Sequence, residues 1–391
     1  MSITPTTDLA FELSFPSHVH FGIGVLEQLP SRLERSVQSI LLLHDNIDAL
    51  APSVARVKIL LKPYCSQLQA IPLPDKGAHA ESILLLSSTL KTPPDLIVAL
   101  GGGAVIDTAK ILSLALTHGE KWPEMRISGS LGQSAIGLIT PLIAIPTLAG
   151  TGTEISPAAL ITRERRKELF VSERLCPHYA FVDPELACSA PPDVSVRTAI
   201  DALVQGVEAY VTPRANVFSD LLALEAIRRT AAGLKRVYDR PHDLGVRSEL
   251  AYAALLGNLC IKLSGGVGAA HGLSNPLSAR YGLHHGFTVG LLLPAVMRFN
   301  GPSKPEGVPH LAAALKVESL AENEHKLWEE VIHAVERLRA SVGMAGSLRD
   351  FGILREDLAR LGVEAAADLD TSGNPHLVRP EDATLLYESI W

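Results

Sequence analysis

Residues 95–116, DLIVALGGGAVIDTAKILSLAL, constrain the chain more than any other stretch. Asp95 to Leu100 is a mostly apolar run of strand length, Gly101, Gly102 and Gly103 follow directly, and from Ala104 to Leu116 apolar residues recur at helical spacing. A strand that passes through glycines into a helix presents unpaired N–H groups and a positive dipole end, and glycine lets an anion come close to them. The pattern predicts a phosphate cradle. A Gly-rich turn used only for tight strand–helix packing has the same sequence. Asp107 and Lys110 fall on the first turns of the helix.

The flanking segments repeat the alternation. Ser39 to Leu43 reads as a strand ending in His44 and Asp45, Ala51 to Tyr64 as a helix, Leu68 to Leu73 as an apolar stretch, His79 to Lys91 as a helix and Leu142 to Pro146 as a strand. Gly22 and Gly24 precede a short amphipathic helix over Val25 to Leu33. Strands alternating with helices predict a parallel α/β sheet. An acid at the C-terminal end of a strand is suited to the adenosine ribose 2′-OH and repels a 2′-phosphate, so Asp45 favours NAD over NADP. The same residue also reads as a helix cap. In a Rossmann unit the glycine turn comes first and the acid about 20 residues later. Here Asp45 lies 56 residues before Gly101, so a different nucleotide-binding fold is expected. Thr147 to Glu154, TLAGTGTE, supplies hydroxyls and glycines just past a strand, suited to a ribose, a pyrophosphate or an amide, or to an ordinary loop.

A chain of 391 residues exceeds the size at which one core keeps growing. Pro191-Pro192 reads as the linker between an α/β domain at 1–190 and an all-helical domain at 191–391. In the latter, Val194–Val211, Val217–Val237, Gly245–Ser264, Glu318–Met344 and Glu356–Ala367 carry apolar residues at spacings of three and four. The cleft between two such domains is a common place for a small-molecule site. The net charge of −7, with no basic run, argues against nucleic acid as a partner. The N-terminal residues lack a secretory pattern, and the longest apolar tract, 136–153, is broken by Pro141 and Pro146, so no membrane association is expected. Cys65, Cys176, Cys188 and Cys260 are scattered, which fits small apolar roles in a reducing compartment, and a cytoplasmic address is expected.

Polar residues interrupt the helical pattern in two places. Asp201 and Gln205 are four apart and share a helix face, as do His271 and Asn275, with His285 fourteen beyond His271. Carboxylate and imidazole on separate helices suit a divalent metal such as Zn or Fe(II). Hydrogen-bonded core histidines would carry the same residues.

GGGAVIDTAK at 101–110, AIPTLAGTGTE at 144–154, DALVQGVEAY at 201–210 and GAAHGLSNPLSARYGLHHG at 268–286 together resemble the group III, iron-containing alcohol dehydrogenases. FPSHVHFGIG at 15–24, FVDPEL at 181–186 and Asn374-Pro375 extend the resemblance over nearly the whole chain. It implies an α/β nucleotide-binding domain, an all-α C-terminal domain, and NAD(H) with a divalent metal in the cleft between them. It assigns the cofactor side to Asp45, Gly102, Gly103, Asp107, Thr147, Thr151 and Lys167. It assigns the metal to Asp201, Gln205, His271 and His285, and the reacting end of the cleft to His271, Asn275 and His285. Two positions depart from the family: it normally has His at 205, where Gln is a weaker ligand, and commonly has His at 275, where Asn supplies no proton. His284 is a candidate to take over from the latter. The resemblance implies an oxidoreductase that interconverts a small alcohol and its aldehyde or ketone, as a homodimer. The two departures leave a metal-independent carbonyl or oxo-acid reductase, or a decayed nucleotide-binding protein, as alternatives. A lyase of the dehydroquinate-synthase type fits the motifs less well.

Overall fold

The computed structural model describes residues 14–33, 37–74, 77–90 and 92–391. The N-terminal residues read above for a secretory pattern fall largely, and Lys91 wholly, outside that set. The strands β1 (His18–Phe21), β2 (Ser39–Asp45), β3 (Gln67–Leu73), β4 (Leu96–Gly101) and β5 (Leu142–Pro146) join a later strand, β8 (Tyr179–Val182), in one parallel sheet. The order is β1-β8-β5-β4-β2-β3. β4, LIVALG, is buried along its whole length, as a central strand covered on both faces must be. Its Leu96, Val98 and Leu100 face Val54 and Val57 of α1 (Ala51–Leu61), while Ile97 and Ala99 join Val105, Ile106 and Ala109 of α3 (Gly103–His118). α2 (Ala80–Thr89) packs beside α3.

The connections set the position of the cofactor side. From β2 the chain moves outward to β3, then returns to β4 on the other side of β2 and continues to β5. The crevice between β2 and β4 is therefore a topological switch point, where open α/β sheets bind ligands at the carboxyl ends of their strands. The register pairs His44 with Leu100 and Gly101 with Pro146, so Asp45, Gly102 and Thr147 emerge side by side.

One local expectation differs, and one element was not foreseen. Val25–Arg32 is a 3₁₀ helix containing Pro30, whose ring and missing N–H do not fit an α-helical interior. The segment Arg163–Lys167, for which no element is read from the sequence, is the tip of an antiparallel hairpin, β6 (Ala158–Arg163) with β7 (Arg166–Val171). Its turn residues Glu164 and Arg165 both have positive φ, 50° and 62°, a conformation that sequence normally advertises with Asn or Gly.

From Pro192 onward the chain is helical: α4 (Pro192–Val211), α5 (Val217–Asp239), α6 (Leu244–Leu263), α7 (Ala269–Tyr281), α8 (His285–Asn300), α9 (Val308–Ala314), α10 (Glu324–Ser341), α11 (Leu358–Ala366) and α12 (Pro380–Ser389). They enclose one core in which α4 is the axis, with α5, α6 and α8 packed around it. The fold is thus an α/β N-terminal half with an all-α C-terminal half. Among the described residues no helix is long and apolar enough to cross a membrane. The four cysteines are free, two buried and two half-buried.

Candidate metal and cofactor site

α4 is buried on all sides from Val196 to Val211 except at Arg197, which makes its polar residues conspicuous. A helix wrapped by others is apolar all round, and a buried polar group is costly unless it is paired. Asp201, Gln205 and Glu208 lie at i, i+4 and i+7 on one stripe of α4, at 2%, 3% and 5% exposure. The stripe faces α7. There His271 sits between two carboxylates: its Nε2 is 3.2 Å from Asp201 Oδ1 and its Nδ1 is 2.5 Å from Glu208 Oε2. Glu208 also accepts the backbone N–H groups of Gly268 (2.9 Å) and Ala270 (2.7 Å), which tie it to the first turn of α7. Burial opposes charge on His271, but Glu208 and Asp201 outweigh it and hold its pKa well above the usual imidazole range.

His285, the first residue of α8, brings a second imidazole beside the first, with ring centroids 5.3 Å apart. Burial pushes its pKa down to about 3, with Asp201 only partly opposing. One ligand atom each from Asp201, His271 and His285 lies within 4.8 Å of the other two. The Nδ1 atoms are engaged outside the group, by Glu208 and by Ser274 Oγ at 3.1 Å, which leaves Nε2 on each ring for an ion. A carboxylate and two imidazoles with their second nitrogens held suit Zn or Fe(II), so the residues present fit a divalent metal.

Gln205 takes a different part. Its amide N–H groups donate to Thr151 O (3.3 Å) and Asp201 Oδ2 (3.4 Å), while the buried Oε1 has no partner. That oxygen lies against Gly257, where a Cβ would come within 2.6 Å of it. Ligation by Gln205 requires its amide to turn over. Asn275 is also turned aside: its Nδ2 donates to Asp368 Oδ2 (3.1 Å) and Asp370 Oδ2 (2.9 Å), clamping the 368–370 segment to α7. Burial and the neighbouring Asp370 raise Asp368 to about 7. His284 is an exposed residue at the N-cap of α8. Arg280 makes a two-pronged ion pair with Glu364.

The cofactor-side residues meet at the switch point. Asp45 Oδ2 accepts the Gly102 N–H at 2.9 Å. A Cβ at Gly101 would come within 2.6 Å of that same carboxylate oxygen, so glycine is required there for close approach. Gly103 opens α3 beside Thr151, and Thr147 N–H donates to Gly101 O at 3.1 Å. Asp107 is braced inward: it accepts from Thr153 Oγ1 (2.6 Å) and from Leu160 N–H (3.1 Å). Lys167, on β7, has no ion pair or hydrogen bond from its Nζ among the described residues. Burial lowers its pKa, with Asp107 opposing, and its charge is felt at His285. The two halves join at Thr151, whose carbonyl accepts from Gln205 and, at 3.0 Å, from Asn258 of α6.

Sequence reasoning did not single out Glu208, Ser274 or Thr288. Glu208 carried a signal, seven residues beyond Asp201 and so on the same helix stripe, and Ser274 lies three beyond His271.

A family model for iron-containing alcohol dehydrogenases matches residues 16–184, and one for the C-terminal part of the same family matches 195–391. The chain belongs to the iron-containing alcohol dehydrogenase family. Lactaldehyde reductase of Escherichia coli (strain K12) is 32% identical over 302 residues, 76% of this chain and 77% of that protein. NAD-dependent methanol dehydrogenase of Bacillus methanolicus is 31% identical over 74% of this chain and 75% of its own. The solved alcohol dehydrogenase from Oenococcus oeni superposes with a TM-score of 0.88 at 26% identity, covering 98% of this chain and all of that one. As a member of this family the chain is an oxidoreductase of alcohols and aldehydes.

Proposed function

We propose that this alcohol dehydrogenase interconverts an alcohol and its aldehyde or ketone with NAD(H), using a divalent metal held by Asp201, His271 and His285. One observation carries the reading: three ligand groups from α4, α7 and α8 converge within 4.8 Å, on a helix stripe hydrogen-bonded to the Thr151 loop of the nucleotide-binding half. A bound divalent ion supplies Lewis acidity toward a carbonyl oxygen, and the dinucleotide supplies or takes the hydride.

The chain's own residues do the remaining work. Asp201 brings negative charge to the ion position, and Glu208 and Ser274 hold the two rings. The N–H groups at the start of α3 receive a pyrophosphate, and Asp45 beside them favours a ribose hydroxyl over a 2′-phosphate, which selects NAD over NADP. Thr147, Thr151 and Asp107 shape the loop under the nicotinamide end, and the Lys167 ammonium reaches the cleft from β7. Gln205 steadies Asp201 through its N–H and joins the ion only if its amide turns. Asn275 acts by holding Asp368 and Asp370. The names of relatives, which include lactaldehyde, methanol and long-chain-alcohol enzymes, support an alcohol or aldehyde substrate, and the short end of that range is the first to test. The metal-independent and decayed readings gain no support from those relatives.

Anaerobic NADH oxidation against a panel of short aldehydes, with chelated, Fe(II)-loaded and Zn(II)-loaded enzyme, tests this reading. Turnover is expected only with metal. His271→Ala is expected to lower it by at least about a hundredfold while NADH binding persists. Turnover that survives exhaustive chelation, or a His271→Ala enzyme at full rate, rejects the metal reading.

A further inference from the structure

α7 and α8 each contribute one imidazole and, three residues later on the same face, one hydroxyl: His271 with Ser274, and His285 with Thr288. The two hydroxyls meet. Ser274 Oγ lies 2.5 Å from Thr288 Oγ1 and 3.1 Å from His285 Nδ1. Thr288 Oγ1 in turn lies 2.8 Å from the carbonyl of His285 and 3.4 Å from that of His284. Both hydroxyls are wholly buried, which removes bulk water as a competing partner.

The direction of the chain follows from its far end. A carbonyl oxygen only accepts, so the single Thr288 hydrogen points at the α8 backbone. The Thr288 oxygen then accepts from Ser274, whose own hydrogen is thereby used. What Ser274 presents to His285 is a lone pair, and the hydrogen between them belongs to Nδ1. The opposite assignment sets the Thr288 oxygen against a carbonyl at 2.8 Å with no hydrogen between them.

We infer that Ser274 and Thr288 are positioning residues that lock His285 in its Nδ1–H form and so reserve the Nε2 lone pair for the metal. This rests on the metal reading above. An imidazole protonated at Nε2 would present a hydrogen to the ion position and could not bind there. At His271 the same task falls to Glu208, a carboxylate anchored by two backbone N–H groups. At His285 it falls to a neutral chain that ends on the backbone of the helix carrying the ligand. The two imidazoles are thereby held by partners of different charge, a carboxylate at His271 and a neutral hydroxyl at His285.

Two measurements on the full chain test this. In metal-free protein labelled with ¹⁵N-histidine, the His285 resonances are expected to report a protonated Nδ1 and a bare Nε2, with the Nε2–H form appearing in Ser274→Ala. By competition titration with Zn(II) alone, Ser274→Ala is expected to weaken binding by about 10–100-fold. Thr288→Val should weaken it in the same direction and Thr288→Ser should restore it, with NAD⁺ binding reporting that each variant is folded. Wild-type and variant chains that bind Zn(II) equally well overturn the hydroxyl chain and leave the metal reading standing. A wild-type His285 that carries its hydrogen on Nε2 overturns it as well. A folded wild-type chain that binds no Zn(II) overturns the metal reading, and with it the purpose assigned to the two hydroxyls.

Discussion

Gln205 illustrates how one side chain sets the character of the site. Its N–H faces Asp201 and its oxygen has no partner, so three ligand groups remain around the ion position. A histidine there would add a nitrogen ligand four residues from Asp201 and complete a tetrahedral set. Thr151 O would keep its bond from Asn258. Gln205→His is accordingly expected to tighten Zn(II) binding by roughly tenfold or more, measured by competition with a chelator of known affinity. An unchanged affinity would mean that Gln205 already ligates through its oxygen.

The segment between β5 and β6 is held by a buried cation. Lys110 is wholly buried in α3, and its three N–H groups are shared among Thr153 O (2.8 Å), Thr153 Oγ1 (2.9 Å), Ser156 O (2.9 Å) and Ala158 O (2.7 Å). This ties the loop that carries Thr151 to the helix that carries the glycine turn. Lys110→Met keeps the length of the side chain but strands those acceptors, and it is expected to lower stability by about 3–5 kcal/mol in urea unfolding. The same segment buries Glu154, whose carboxyl burial pushes up from 4.5 to about 7, with its own backbone N–H and Lys110 only partly opposing. Between those values the folded state holds a proton that the unfolded state has released, so stability falls as pH rises through the window and levels off above it. Glu154→Gln removes that slope. The variant should match the wild type near pH 5 and exceed it near pH 8 by up to about 3 kcal/mol in unfolding free energy. A constant difference between the two pH values would show that Glu154 titrates normally.

Across the whole molecule, the halves meet through hydrogen bonds, an ion pair and an apolar cluster in which Ile155, Ala180 and Val182 pack on Ala251 and Leu255. Thr151 O accepts from α4 and α6, Lys262 of α6 reaches Ser14 O (2.9 Å) and Glu173 (3.0 Å), and Phe21 stacks on Tyr252 at 3.9 Å. An ion held by α4, α7 and α8 binds only when these helices are packed, so it should stabilise the folded chain by mass action. Zn(II) at about a thousand times its dissociation constant is expected to add about 4 kcal/mol, seen as a rise in melting temperature that His271→Ala abolishes. A rise of the same size in His271→Ala would place the stabilising ion elsewhere.

Much of this was legible before the fold was known, because it is local or periodic. The strand–glycine–helix stretch at 95–116 and the four-residue spacings of Asp201 with Gln205 and of His271 with Asn275 follow from backbone periodicity, while the pairing of His271 with His285, on a separate helix, was implied by the family resemblance. Other features lie in side-chain directions between elements far apart in the chain, which spacing does not encode. Glu208 meets His271 across 63 residues, Asn275 meets Asp368 across 93, and Lys110 turns inward to acceptors more than 40 residues away. The hairpin at Arg163–Arg166 was hidden because its turn uses Glu164 and Arg165 where a turn signal would use Asn and Gly. Which nitrogen of His285 carries its hydrogen is the furthest from sequence. It depends on two hydroxyls from different helices meeting at hydrogen-bond distance, and on a backbone carbonyl that can only accept.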